Sequence, residues 1–92
     1  MVKTKPRPEA DEDLQGEFDD LILELRQDAQ ELGAVFRWED FTSERITAEL
    51  MGTSKNLLSY HARNGTNQMS YRKVGMKRFY SLREIARVLL GR

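Results

Sequence analysis

The fold is decided by residues 42–65, which read TSERITAELMGTSKNLLSYHARNG. Two short helical segments are separated here by Gly52, and each is preceded by a hydroxyl residue that can cap a helix. The first helix is expected to begin at Thr42 or Ser43, and the second at Lys55. Because glycine lets the chain reverse without a side-chain clash, the pattern predicts a helix-turn-helix.

The second helix of this pair is expected to have an inward and an outward face. Leu58 and Ala62 should point to the core together, because residues four apart share one face of a helix. Outward side chains near the N-terminus of such a helix can enter the major groove of DNA. Asn56 has the donor and acceptor pair that suits adenine, while Arg63 or Lys55 suits guanine or phosphate. The candidate DNA-binding residues of this helix are Ser54, Lys55, Asn56, Ser59, Tyr60 and Arg63.

A hairpin and a last helix are expected after Asn64-Gly65, the pair that closes the second helix. Two segments with β-favouring residues flank Gly75, a pattern typical of a β-hairpin. The candidate DNA-binding residues of this hairpin are the cations Arg72, Lys73, Lys77 and Arg78. Ser81 to Glu84 has the spacing of a capping box, which predicts the start of the last helix. Its apolar face should contain Leu82, Ile85, Ala86, Leu89 and Leu90.

Charge is distributed unevenly along a chain whose formal net charge is zero. Residues 1–46 contain 13 acidic and 6 basic side chains, whereas residues 47–92 contain 2 acidic and 9 basic ones. Between Ser54 and Arg83 there are seven Lys or Arg and no Asp or Glu. This asymmetry predicts an acidic head beside a surface suited to a polyanion.

The N-terminal half is expected to contain a disordered leader, a helix and a linker. Residues 1–11, with two prolines and no apolar periodicity, form the leader, and residues 34–41 form the linker. Between them, residues 12–33 have apolar residues at helical spacing, many carboxylates and a terminating glycine, which predicts an acidic amphipathic helix. Its apolar stripe would either pair with a second copy or pack on the C-terminal domain. The candidate oligomerisation residues are Leu14, Phe18, Leu21 and Leu25.

Composition narrows the function classes. With 92 residues there is room for one compact domain and an extension. The chain has no cysteine and one histidine, so a metal site and a cofactor are not expected, and no catalytic residue is assigned. His61 is expected to be a packed, hydrogen-bonded side chain. Neither a membrane span nor a signal peptide is expected, which favours a soluble cytoplasmic protein.

A resemblance follows from the residues beyond the first helix. Residues 42–90 resemble the winged helix-turn-helix of phage excisionases and of the DNA-binding domain of MerR-family regulators. The likeness rests on residues 48–55, on Val74-Gly75 and, most specifically, on the run RFYSLREI at residues 78–85. It implies a mainly α domain over residues 42–92, with a small β-hairpin wing and a preceding amphipathic helix. It also implies that the second helix enters the major groove while the wing contacts the backbone or minor groove.

Three functions are compatible with this interpretation. The first is a sequence-specific binder of double-stranded DNA in a bacterial nucleoid or phage-infected cell. It would be a transcription regulator or an excisionase-like architectural factor, acting as a dimer or cooperatively, with an integrase or polymerase as a candidate partner. The second is a DNA-recognition subunit of the phage small-terminase type. The third is a protein-interaction adaptor that binds an acidic protein through its basic face.

Overall fold

The structure is a computed structural model that describes residues 6–66 and 69–91, with side chains from Gln15 onward. Four helices occur in this part of the chain: α1 (Pro6–Glu31), α2 (Glu44–Met51), α3 (Lys55–Arg63) and α4 (Leu82–Leu89). The strands are β1 (Phe41–Ser43), β2 (Arg72–Val74) and β3 (Lys77–Ser81). The expectation of a mainly helical protein with a small β-hairpin is confirmed at this level. The first five residues of the predicted leader lie outside the described residues.

The sheet contains the predicted hairpin and one strand that was not predicted. β3 lies in the centre and pairs antiparallel with both β1 and β2. In β1, Thr42 is paired with Tyr80, and both side chains are completely buried. Thr42 therefore does not begin a helix, because its backbone belongs to the sheet. Ser43 takes that role, and its hydroxyl accepts a hydrogen bond from the Ile46 amide at 3.3 Å.

The acidic helix packs on its own chain. It begins at Pro6, earlier than the predicted residue 12, and ends before Gly33, which has a φ of 92°. Leu25 is 4% exposed and belongs to the main core, against which Phe18 and Leu21 are partly buried. Three of the four candidate oligomerisation residues are therefore used within the chain, because α1 lies against α4 and α2. The side chain of the fourth, Leu14, lies outside the described part.

The last helix joins the core largely as expected. Leu82, Ile85 and Ala86 are completely buried and pack with Tyr80 and Leu58. Leu89 is an exception to the predicted apolar face, because 45% of it is exposed. The core thus lies between the four helices and the inner face of the sheet.

The predicted capping box at the start of α4 is formed only in part. The Ser81 hydroxyl accepts a hydrogen bond from the Glu84 amide at 3.0 Å, as a cap should. The Glu84 carboxylate instead accepts from the Ser70 amide at 3.1 Å and from Arg87 at 2.9 Å. Glu84 therefore ties α4 to the segment that leads into the hairpin.

The expected linker contains a tight turn. Paired backbone hydrogen bonds of 2.9 and 2.8 Å join Arg37 and Phe41 across this turn. Trp38 and Glu39 have φ angles of 48° and 77°, which non-glycine residues adopt at a cost in free energy. The Trp38 ring stands edge to face against Phe41 at 5.3 Å and Phe79 at 5.8 Å. These contacts and the Arg26 hydrogen bond to the Glu39 carbonyl stabilise the turn.

Candidate nucleic-acid interface

A three-residue turn, residues 52–54, joins α2 to α3. Gly52 has a left-handed φ of 73°, and the following amide of Thr53 donates to the Ala48 carbonyl at 2.8 Å. Ser54 caps α3 by accepting from the Leu57 amide at 3.0 Å. Because of this cap, Ser54 is a structural residue of the turn, with its hydroxyl already engaged. The two helices pack against each other.

Helix α3 has the predicted inner and outer faces. Leu58 and Ala62 are 5% and 8% exposed, which confirms their inward orientation. On the other side Lys55 and Asn56 are exposed, and Tyr60 is 53% exposed. Leu57 is 47% exposed as well, so the surface of the helix includes an apolar residue that was not expected there.

Ser59 is the candidate on α3 whose position differs most from the prediction. It is half-buried, and its hydroxyl accepts hydrogen bonds from Arg63 at 2.9 Å and Arg78 at 3.2 Å. Ser59 therefore connects α3 to the sheet, because its hydroxyl oxygen already accepts hydrogen bonds from two arginines of the same chain. Arg63 remains exposed at the C-terminal end of α3.

The four hairpin cations do not form one surface. Side chains alternate between the two faces of a strand, and paired residues on neighbouring strands share a face. Lys73 pairs with Arg78 and lies on the face that includes buried Tyr80. Arg72 pairs with Phe79, and Lys77 shares that opposite, outer face of the sheet. The single basic wing surface predicted from the sequence is therefore divided between two faces.

Arg78 is not an exposed backbone-binding residue, which corrects its predicted role. Only 11% of its side chain is exposed, and its Nη1 lies 3.5 Å from Glu44 Oε2. Its guanidinium also lies 5.5 Å from the centre of the Tyr71 ring. A hydrogen bond to Tyr71 and the nearby Glu44 carboxylate raise the pKa of Arg78, so the buried cation stays charged. Arg78 thus links β3, α2 and α3.

Glu44 completes this buried cluster and was not identified from the sequence. It is 8% exposed, and its Oε2 accepts a hydrogen bond from the Tyr80 hydroxyl at 3.2 Å. In the sequence Glu44 is an ordinary acidic residue in the first turn of a helix, where carboxylates are common. Only the packing of β3 against α2 distinguishes it from the solvent-exposed carboxylates. Within the described residues, Arg78 Nε and Thr42 Oγ1 are buried without a hydrogen-bond partner.

Arg72 stacks on aromatic rings. Its guanidinium lies 4.6 Å from the centre of the Trp38 ring and 4.9 Å from that of Phe41. The aromatic residues Trp38 and Phe41 thus pack under a cation as well as against each other. Arg72 remains exposed at the surface, although its orientation is set by these rings.

A groove of about 330 Å³ brings the start of α3 next to the hairpin. Lys55 from α3 and Lys77 from β3 both line it, together with Met76 from the hairpin turn. Gly75 begins this turn with a φ of 61°, as a two-residue hairpin loop requires. The structure therefore places exposed cations of the two predicted elements beside one another.

His61 makes a hydrogen bond within its own chain. The His61 ring nitrogen Nδ1 lies 2.8 Å from Thr66 Oγ1, which agrees with the expected hydrogen-bonded histidine. Among the described residues, no group of three or more His, Cys, Asp or Glu is arranged to hold a metal ion. Within the same ranges, no helix is both long and apolar enough to span a bilayer.

No protein-family model, curated protein or solved structure matched the chain when it was compared with them.

Proposed function

We propose that this protein binds double-stranded DNA through a winged helix-turn-helix, with α3 in the major groove and the hairpin on the backbone. The groove shared by Lys55 and Lys77 is the observation that carries the proposal. It places an exposed cation of each element on one concave surface, so both could face the same duplex. Electrostatic attraction to phosphates provides most of the affinity of such a surface.

The residues have different roles in this proposal. The exposed polar residues of α3 face the major groove of the DNA; they are Lys55, Asn56, Tyr60 and Arg63. Lys73 and Lys77 are exposed on the hairpin and bind phosphates. Arg78 contacts no DNA and instead sets the position of α3 relative to β3 through Ser59.

Sequence preference in this proposal requires more than one copy on DNA. A single module of this size buries roughly 600 to 1,000 Å² of its surface on DNA, which limits the number of base contacts. Leu25 of the apolar stripe on α1 is buried within its own chain, so this residue is not available for pairing with α1 of a second copy. Neighbouring copies bound side by side are the arrangement we propose. A DNA-bending assay would separate an excisionase-like architectural role from simple transcription regulation.

The test is a salt series of binding to random duplex DNA with the full chain. We expect binding to weaken steeply from about 50 mM to 200 mM salt, because each phosphate contact releases counterions. The Lys55→Gln/Lys77→Gln variant should bind more weakly and with a smaller dependence on salt. Both residues are exposed, so the substitutions should leave the fold intact.

Arg83→Gln is the control for removing a positive charge away from the groove. Arg83 is exposed at the start of α4 and stacks on Phe18 of α1 at 5.4 Å, away from the groove. Binding by this variant should equal that of the wild type. Absence of salt-dependent binding by the wild-type protein would refute the proposal and favour an adaptor that binds an acidic protein.

A further inference from the structure

A second groove lies on the outer face of the sheet. It encloses about 550 Å³ between the segment after α1 and the β2–β3 hairpin. The lining side chains include Val35, Val74 and Phe79, together with the cations Arg37, Arg45 and Lys77. No acidic residue of the described chain lines this groove. A concave surface lined by three cations, one of them paired with Glu49 at its margin, suits a polyanion.

This outer groove is continuous with the groove at the start of α3. Ser43, Arg45, Lys77 and Phe79 line both of them. The only acidic residue that lines the groove at α3 is Glu44, which is buried and bonded to Arg78 and Tyr80. The two grooves therefore form one continuous basic track, which runs from Lys55 past Lys77 at the start of β3 to the outer face of the sheet.

Arg37 is held in place at the far end of the track. Its guanidinium lies 5.0 Å from the centre of the Phe79 ring and 5.3 Å from that of Trp38. Within the described residues its side chain makes no hydrogen bond or ion pair, so its donors are free. The turn at Trp38 and Glu39, with its unfavourable φ angles, sets the backbone direction next to Arg37. An arginine held on aromatic rings loses less side-chain entropy when it binds a phosphate.

Arg45 lies in the middle of the track, and its ion-pair partner Glu49 competes only weakly with a phosphate for its guanidinium. It forms an ion pair with Glu49 at 2.9 Å, and the two side chains are 57% and 45% exposed. Exposed pairs of this kind contribute little free energy, so a phosphate can replace the carboxylate.

We infer that the outer groove is a second phosphate-binding site, which takes the backbone of the same duplex beyond the segment held by α3. Arg37, Arg45 and Lys77 bind successive phosphates there. This inference rests on the proposed DNA binding and extends it to a face of the sheet that carries no base-reading residue. It predicts a footprint longer than α3 and the hairpin tip alone would produce.

The test measures the salt dependence of binding to a long random duplex for the Arg37→Gln variant. Loss of one phosphate contact should lower the slope of log K against log salt by about 0.9. The loss of affinity between 50 mM and 200 mM salt should then be about 3.5-fold smaller than for the wild type. Arg37→Lys keeps the charge and should retain the slope, which distinguishes phosphate binding from a structural role of the ring contacts.

Val35 provides a second test that does not depend on the aromatic cluster. It is 84% exposed in the lining of the outer groove, so substitution there does not affect the core. Val35→Glu should weaken DNA binding several-fold at low salt. Val35→Gln introduces a side chain of the same shape as glutamate but without its charge, and it should bind like the wild type. The effect should shrink as salt increases, because screening removes the repulsion of the new charge.

The outcomes separate this inference from the proposed function. If the wild type binds DNA, Lys55→Gln weakens it, and both Arg37→Gln and Val35→Glu behave like the wild type, the outer groove is not a DNA site. If the wild type shows no salt-dependent binding, the proposed function itself fails. Weaker binding by Arg37→Gln and Val35→Glu, with Arg37→Lys, Val35→Gln and Arg83→Gln unchanged, supports the second site.

Discussion

Arg78 Nη1 lies 3.5 Å from Glu44 Oε2, in an ion pair that joins β3 to the first turn of α2. The same nitrogen lies 3.2 Å from Ser59 Oγ on α3. One guanidinium therefore contacts both α2 and α3 from the central strand of the sheet. The hydrogen bond from Arg78 to Ser59 joins the hairpin directly to α3.

The first prediction concerns this ion pair. Arg78→Met should destabilise the fold by about 3 kcal/mol, because it leaves the carboxylate of Glu44 buried without its cation. The Glu44→Gln/Arg78→Met double variant should be more stable than the sum of the two single effects implies. Chemical denaturation of the four proteins measures the coupling. Strict additivity would contradict a direct interaction.

The second prediction contrasts two paired residues of the hairpin. Lys73→Gln should weaken DNA binding and leave the melting temperature unchanged, because Lys73 is exposed. Arg78→Gln, on the neighbouring strand, should lower the melting temperature, because its cation is buried. Thermal melts followed by circular dichroism, combined with DNA titrations, check both variants. A stable Arg78→Gln protein that binds DNA more weakly would restore Arg78 as a direct contact.

The third prediction concerns the docking of α1. Leu25→Ala should cost about 3 kcal/mol of unfolding free energy, since Leu25 is 4% exposed and truncation leaves a cavity in the core. Leu23→Ala is the matched control on the same helix, because Leu23 is 65% exposed, and its effect should stay within about 0.5 kcal/mol. Urea denaturation gives both values. Equal, small effects would indicate that α1 does not pack as described.

The fourth prediction uses two glycines with opposite requirements. Gly16 is inside α1 with open space around it, so Gly16→Ala should stabilise the protein by up to about 1 kcal/mol. Gly52 has a φ of 73°, so Gly52→Ala should destabilise it by about 1 kcal/mol although no atom obstructs the new Cβ. Denaturation midpoints measure both changes. Stabilisation by Gly52→Ala would show that the turn does not need the left-handed conformation.

The fifth prediction is a pH dependence at Glu84. The hydrogen bond from Arg87, assisted by the Ser70 amide, lowers the pKa of Glu84 below the ordinary 4.5. A carboxylate with a lowered pKa stabilises the fold above its unfolded pKa, and this stabilisation is lost as pH falls through the folded pKa. Glu84→Gln should therefore be less stable than wild type at neutral pH, by less than about 1 kcal/mol because solvent screens this partly exposed pair. The difference should vanish in acid, which denaturation at several pH values would show.

Local sequence was sufficient for α2, α3 and α4, but not for the start of α1, which lies at Pro6 and not at residue 12. The two helices around Gly52, the caps at Ser54 and Ser81, and the inward positions Leu58 and Ala62 follow from residues close together in the chain. Helix capping and periodicity act over three or four residues, so they can be recognised without knowledge of the fold. Strand β1 could not be recognised in this way, because three residues acquire extended structure only by pairing with β3.

The location of the cations was decided by tertiary structure. The sequence determined by itself that the C-terminal half is basic and the N-terminal helix acidic. It did not determine that Arg78 would be buried with Glu44, which lies 34 positions earlier in the chain, or that Arg37 would share a groove with Lys77. Exposure and pairing depend on which distant surfaces meet, and the free energy of a charge depends on that environment. For that reason composition predicted a surface for a polyanion, but only the packing of the sheet against α2 and α3 decided which of the cations are exposed side by side.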